Sequence, residues 1–240
     1  MTWHREPLTG FDLETTGTDP LGARIVTGAV VELGAGAETA QRQWLADPGV
    51  PIPAEATAVH GITTERAATE GAPPDQVADA LAEALASSWR AGVPVVAYNA
   101  SFDLTLLSAE LLRHGLPSLS ERLGGAPPAP VVDPYTIDRQ VDRYRRGKRT
   151  LQAVCAEYGV ALTTAHDAAS DALAAARLAR AIAERHPKIA ALGPAELHRS
   201  QIGWSASRAA DFQSYLRRSG EPDAVVDGAW PLRIPAGQGG

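Results

Sequence analysis

The stretch "GFDLETTGTDP", residues 10 to 20, reads as a strand running into a turn, yet it carries Asp12 and Glu14 two positions apart. Strand side chains alternate, so the two acids share a face, about 6.6 Å apart along the strand. At an effective dielectric near 20, like charges about 4 Å apart repel by about 4 kcal/mol. A fold that sets this repulsion at the rim of its core needs something cationic to offset it. The plain alternative is a strand end dissolving into the polar turn "TTGTDP". The rest of the chain decides between them.

The chain has 240 residues, 45% of them hydrophobic, enough for one full-sized core with an appendage or two small domains. No run approaches the 18 or more apolar residues of a membrane span. The opening "MTWHREPLTG" lacks the pattern of a signal peptide. A lone cysteine, Cys155, makes no intrachain disulfide. A cytoplasmic setting without membrane contact is therefore expected. The net charge of −6 argues against a broad nucleic-acid-coating surface, though not against a local site where metal ions meet phosphates. Excess acid is also what a multi-carboxylate metal centre leaves in a count made without its metals.

Residues 7–14, 23–33 and 38–48 read as three strands with short connections, an antiparallel meander. The proline-rich segment after them reads as an irregular connection. A helix over 75–90 follows, with Asp75 as its N-cap and Val77, Leu81, Leu85 and Trp89 on one face. "VPVVAY" (93–98) has the continuous apolar character of a strand buried on both faces. A helix over 102–114 ends at Gly115, "APVVD" (129–133) is a short strand, and helices end at Gly159 and before Pro187. Three strands followed by α/β alternation predict a mixed α/β sheet, meander plus parallel strands, flanked by helices. The expected division is a domain over 1–192 and a C-terminal extension over 193–240. That extension holds a helix over about 205–218 with Ile202, Ala206, Ala209, Phe212 and Leu216 at helical spacing, then a loose tail.

Two further sites repeat the oddity of the opening stretch. In "NASFDLTLL", Asp103 stands where a buried strand feeds a helix, the edge of an α/β sheet at which ligand groups collect. In "HDAASDALAAARLA", His166 precedes Asp171 by five residues at the start of an alanine-rich helix. Singly, each acid reads as a helix-start residue and His166 as a loop histidine. Together, a strand pair and two helix-start aspartates can converge at one end of the sheet. Four carboxylates without soft ligands suit Mg²⁺ or Mn²⁺. Zinc would recruit several His or Cys at close spacing, which this chain lacks.

"FDLETTGTDP", "NASFD" and "HDAASD", in this order and spacing, together with "AVHGIT" (58–63), resemble the three motifs and the His-Gly-Ile/Leu-Thr segment of the DEDDh 3′-to-5′ exonucleases. That family includes the epsilon subunit of bacterial DNA polymerase III, and the resemblance covers roughly residues 7–186. It implies a ribonuclease H-like fold. It carries Asp12, Glu14, Asp103 and Asp171 onto the ligand positions of two Mg²⁺ or Mn²⁺ ions and His166 onto the general-base position. Neutral imidazole, with an unperturbed pKa near 6.5, can take the proton of an attacking water. The product would be a 5′-mononucleotide released from a single-stranded or frayed DNA 3′ end, in proofreading or repair. RNA is the alternative substrate, since these motifs do not read a 2′-hydroxyl. Partners to be expected are a DNA polymerase or another replication or repair protein, with homodimerisation open.

The resemblance also sets Thr15 and Thr16 beside the terminal nucleotide and His60, Gly61 and Ile62 in its base pocket. Phe102 either stacks on the base or sugar or belongs to the core. The run "DRQVDRYRRGKRTL" (138–151) reads as a solvated surface or as a guide for the incoming strand, with Arg145, Arg146 and Lys148 as the candidate contacts. Tyr98 departs from the histidine of many relatives, and residues beyond about 193 lie outside the resemblance. Two other readings stand beside it. One is a catalytically silent nucleic-acid-binding module, against which the presence of all four acids and His166 speaks. The other takes "DLETT" as a phosphatase loop, but that chemistry wants a second aspartate where Glu14 stands and a phosphate-binding lysine. The two lysines, Lys148 and Lys188, lie in unsuitable contexts.

Overall fold

The structure is a computed structural model that describes residues 2–35, 37–162 and 165–233. Strand β1 (Leu8–Thr15) pairs antiparallel with β2 (Ile25–Leu33), and β2 with β3 (Glu38–Leu45), the expected meander. On the other side of β1, β4 (Val95–Val96) and β5 (Val131–Val132) add in parallel, giving the order β3-β2-β1-β4-β5. The β4 ladder is shorter than its apolar run because Pro94 has no N–H to give, although its carbonyl still accepts from Thr9 N at 3.0 Å.

The helices are α1 (Ala54–His60), α2 (Thr64–Glu70), α3 (Pro74–Arg90), α4 (Ala100–Arg113), α5 (Leu119–Arg122), α6 (Pro134–Val141), α7 (Leu151–Tyr158), α8 (Ala168–Arg185), α9 (Pro187–Ala190) and α10 (Pro194–Arg218). Alternation on β1 divides them into two layers. Phe11 and Leu13 face Leu81 and Leu85 of α3 and Leu104 and Leu107 of α4. The opposite face meets α8, whose Ala168, Ala169 and Ala172 lie on Ala29 and Val31. Alanine is what lets α8 approach this closely, and Gly10 completes the fit. A Cβ built there would lie 2.2 Å from the carbonyl oxygen of Ala172, so β1 and α8 touch backbone to backbone.

Four local expectations need correction. The connection after β3 is mostly helical, forming α1 and α2. Neither has the apolar stripe that announces a helix, and α1 buries no residue. Helix α3 is capped by Pro73 with no side-chain acceptor, Asp75 instead lying in its first turn. Helices α5 and α6 were not foreseen. Finally, α10 starts at Pro194, so that Gly193-Pro194 is a helix start, with proline at the first helical position.

The inner face of α10 is also not the apolar one expected. Ile202 is 42% and Phe212 51% exposed, whereas His198, Gln201 and Ser205 are buried. These polar groups meet the outer edge of β5. His198 Nδ1 accepts from Val131 N at 3.1 Å, Gln201 Oε1 accepts from Asp133 N at 2.7 Å, and Gln201 Nε2 donates to the Val131 carbonyl at 3.0 Å. Trp230 joins the core, its indole N–H donating to Asp133 Oδ2 at 3.3 Å. Residues 234–240, the end of the loose tail, lie outside the described residues. Among the described residues no helix is long and apolar enough to cross a membrane.

Candidate active site

The register of the meander builds the floor of the site. Asp12 lies opposite Ala29, and Ala29 opposite Gln43, while Glu14, Thr27 and Leu45 form the next row on the same face. Both acids therefore point to the α8 side of the sheet, at the end of β1. Their ladder turns irregular between Glu14 and Thr15, where the strand leaves the sheet.

Asp103 arrives from the neighbouring strand. The chain leaves β4 through Asn99, held left-handed at φ 62°, and Asp103 occupies the first turn of α4. That turn is pinned by Asp133 at the end of β5, whose Oδ1 accepts from Asn99 N at 2.9 Å. Asp103 is buried and accepts from Leu13 N at 3.2 Å, which locks it between Asp12 and Glu14 along β1.

Asp171 lies in the first turn of α8, whose N-cap Asp167 accepts from Ser170 N at 2.9 Å. His166 precedes the cap with φ 64°, a left-handed conformation that turns the chain back, and its N–H donates to Asp171 Oδ2 at 3.1 Å. The imidazole is exposed. Ligand atoms of Glu14, His166 and Asp171 lie within 4.8 Å of one another.

The charges in this arrangement conflict. Burial raises Asp12 well above the usual carboxylate range, and the charges of Asp103, Asp171, Glu14 and Asp167 push it further. Glu14 is raised from 4.5 to about 7 by burial and by Asp171 and Asp167. Asp103 is raised by burial, with the Leu13 and Asp103 N–H groups partly offsetting it. Asp171 is raised by burial, with His166 offsetting part of that, and its Oδ1 is buried without a hydrogen-bond partner. Among the described residues no arginine or lysine pairs with any of the four. An orphaned carboxylate oxygen beside three further acids is the donor set of a hard divalent cation. The residues present thus fit the metal site that the sequence implies.

The cleft beside these groups, about 680 Å³, is lined by Glu14, His60, Gly61, Ile62 and His166. Gly61, at φ 75°, ends α1 and turns the chain so that Ile62 N donates to His60 Nδ1 at 3.1 Å. That bond assigns the proton of neutral His60 to Nε2, a buried donor without a partner. Burial holds His60 below the usual imidazole range, against a weak pull from the Thr15 main chain that favours the charged ring, so the neutral form prevails near pH 7.

The other sequence candidates lie elsewhere. Thr15 Oγ1 donates to the Gly17 carbonyl at 2.8 Å and Thr16 Oγ1 accepts from Arg24 N at 2.9 Å, both inside the turn after β1. Phe102 packs partly buried against the main core. Arg145 is bonded to buried Asp138 at 2.6 Å, whereas Arg146 and Lys148 are exposed. The cleft also contains Gln43, Trp44, Arg66 and Asp167, of which Gln43 Nε2 reaches Asp167 Oδ2 at 3.4 Å. Only the strand register could have signalled Gln43, and nothing in the sequence pointed to Trp44 or Arg66.

Residues 9–179 match the ribonuclease T-type family model described as Exonuclease. The DNA polymerase III PolC-type protein of Streptococcus thermophilus is 32% identical over 170 residues, 70% of this chain and 10% of the relative. A DNA polymerase III subunit epsilon-like protein of Rhodobacter capsulatus is 41% identical over 110 residues, 44% of this chain and 14% of the relative. The chain thus spans a small part of these curated relatives. The fold is that of E. coli Exonuclease I, solved in complex with a dT13 oligonucleotide, with a TM-score of 0.63 at 18% identity over 77% of this chain and 42% of that one. A family match over most of the chain, on a ribonuclease H-like sheet that gathers the acidic motifs at one end, means that the chain belongs to the DEDDh-type exonuclease family.

Proposed function

We propose that this chain is a metal-dependent 3′-to-5′ exonuclease that releases 5′-mononucleotides from single-stranded or frayed DNA ends. The observation that carries the reading is the convergence of Asp12, Glu14, Asp103 and Asp171 without a cation, beside an exposed His166 and an open cleft. The four carboxylates would hold two Mg²⁺ or Mn²⁺ ions. When bound, the ions supply charge stabilisation for the phosphoryl oxygens and the leaving 3′-oxygen. His166 receives the proton of the attacking water at its imidazole nitrogen. The Asp171 carboxylate, accepting the His166 N–H, fixes that loop over the start of α8.

On the other wall His60, kept neutral, offers its free Nε2–H to an oxygen of the terminal nucleotide, with Ile62 beside it as an apolar surface. Thr15, Thr16 and Phe102 contribute in this reading by shaping the turn and the rim. DNA is favoured over RNA because the related proteins are DNA polymerase III components and the similarly folded Exonuclease I was solved with a dT13 oligonucleotide. The same kinship makes a DNA polymerase the natural partner.

The test uses 5′-labelled single-stranded DNA and RNA of one sequence with Mg²⁺, Mn²⁺ or EDTA, alongside Asp12→Ala and His166→Ala. A ladder of shortened products that requires metal and both residues supports the reading, and the rate ratio identifies the substrate. Intact strands under every metal condition overturn it in favour of a binding module.

A further inference from the structure

We infer that the cleft between α6 and α10 holds the single-stranded polynucleotide upstream of the reacting 3′ end, with its phosphates on Arg139, Arg143 and Arg208 and a base against Trp204. The inference rests on the exonuclease reading for the identity of the strand; the cleft's own chemistry is independent of it. The cleft measures about 430 Å³ and takes Arg139 from α6, Arg143 from the turn after it, and Trp204, Arg208, Asp211 and Phe212 from α10. The α10 residues Trp204, Arg208 and Phe212 recur every four positions and so line one side of the helix.

The charge of this cleft runs against the rest of the molecule. Three arginines and one aspartate line it in a chain of net charge −6. Asp211 pairs with Arg143 where both are exposed. Arg139 and Arg208 have no carboxylate partner among the described residues. Both guanidiniums instead lie over the Tyr135 ring, 5.0 and 5.2 Å from its centroid. The Arg139 Nε is buried without an acceptor. Nearby Arg145 and Arg149, by contrast, are neutralised by Asp138. Two like charges held against one ring, one with an orphaned donor, are short of an anion, and an aromatic wall beside them suits unpaired bases.

Position connects the cleft to the reaction. Helix α6 starts directly after β5, at the sheet end where Asp133 holds Asn99 and through it the turn carrying Asp103. Tyr135 meets Tyr98, the residue before Asn99, edge to face at 5.6 Å. Tyr135 and Asp133 thus tie the arginine cleft to the turn that carries Asp103, and the inferred course of the strand runs from the carboxylate cluster across that turn to the arginines.

The experiment compares the wild type with Arg139→Ala/Arg208→Ala and Arg139→Lys/Arg208→Lys. It measures kcat/KM in Mg²⁺ on 20-mers of DNA and of RNA and on a dinucleotide. Binding of the same 20-mers is followed by fluorescence anisotropy on an Asp12→Ala background at several salt concentrations. The alanine pair is expected to lose about tenfold in kcat/KM and in affinity on the 20-mers and nothing on the dinucleotide. Its log–log salt slope becomes shallower by about 1.4, for two lost phosphate contacts. The lysine pair keeps most of the affinity. If the alanine pair does not fold, Arg208→Ala alone is read, with a slope change of about 0.7. Unchanged affinity and slope, as expected of a cleft made for an acidic protein segment, overturn the inference; so does an equal loss on dinucleotide and 20-mer. Binding of 20-mers without turnover by the wild type defeats the exonuclease reading and leaves the cleft standing. Turnover with length-independent effects does the reverse.

Discussion

Two groups of carboxylates, one fully buried and one buried or half-buried, have opposite surroundings in this molecule. Glu110 and Asp138, each fully buried, are enclosed by arginines: Arg24 and Arg113 around Glu110, Arg145 and Arg149 around Asp138. Asp12, Glu14, Asp103 and Asp171 have one another and no arginine or lysine among the described residues. The first group is structural. The second leaves a charge deficit that only something from outside the chain can fill. Burial without a counter-charge does not by itself mark a functional acid. Buried Asp133 has no cation beside it among the described residues but is satisfied by donors from Asn99, Tyr135, Thr136 and Trp230. A cluster of acids short of both cations and donors does mark one.

Truncating one member of each group should separate them most sharply. Asp12→Ala removes a ligand that organises several kcal/mol of charge stabilisation, a loss of about 10³-fold or more in metal-dependent hydrolysis. In the metal-free protein the same change relieves repulsion and should raise the melting temperature. Glu110→Ala strands two arginines beside a hole and should cost about 3–5 kcal/mol in a denaturant titration. If both variants were destabilised alike, the contrast would collapse.

His166→Ala should lower the rate by about 10²-fold or more while leaving the melting temperature unchanged, because its imidazole is exposed and supports no core contact. The loop bond to Asp171 uses the main-chain N–H, which alanine retains.

The pH dependence of the metal-free protein sharpens the comparison further. Glu14 titrates near 4.5 when unfolded and near 7 when folded, so the native state binds more protons between those values. Stability should therefore fall as pH rises across that window, opposite to the behaviour of a carboxylate paired with arginine. Melting curves between pH 4.5 and 7.5 in EDTA should show the decline, and Mg²⁺ should flatten it. The smallest expected effect is that of Trp230→Phe. Losing the indole bond to Asp133 should cost about 1 kcal/mol and slow hydrolysis slightly through the Asn99 turn.

Much of this could be read in the sequence. The meander followed from three strand-like stretches joined by short connections, and the four acids from strand spacing, helix starts and the family resemblance. The rest resisted for physical reasons. Helix α1 has no apolar stripe, so its pattern is that of a loop. Asp138 and Asp103 are indistinguishable as letters, because what separates them is the arginines that folding brings close. Arg145 reads as a free cation and becomes one of two arginines bound to buried Asp138. The inner face of α10 is polar because it satisfies a strand edge, the opposite of what helical hydrophobicity teaches one to seek.

That polar face has a consequence for where the protein can be shortened. Helix α10 serves as the sixth strand of the sheet: His198 and Gln201 take up two N–H groups and a carbonyl that would otherwise sit bare along β5. The family match stops at residue 179, before this helix begins. A chain trimmed to the matched segment would keep every acid of the metal cluster and expose an unpaired strand edge, a template for self-association into aggregates. The segment that matches the family and the segment that covers its own sheet edge are different lengths of the same chain.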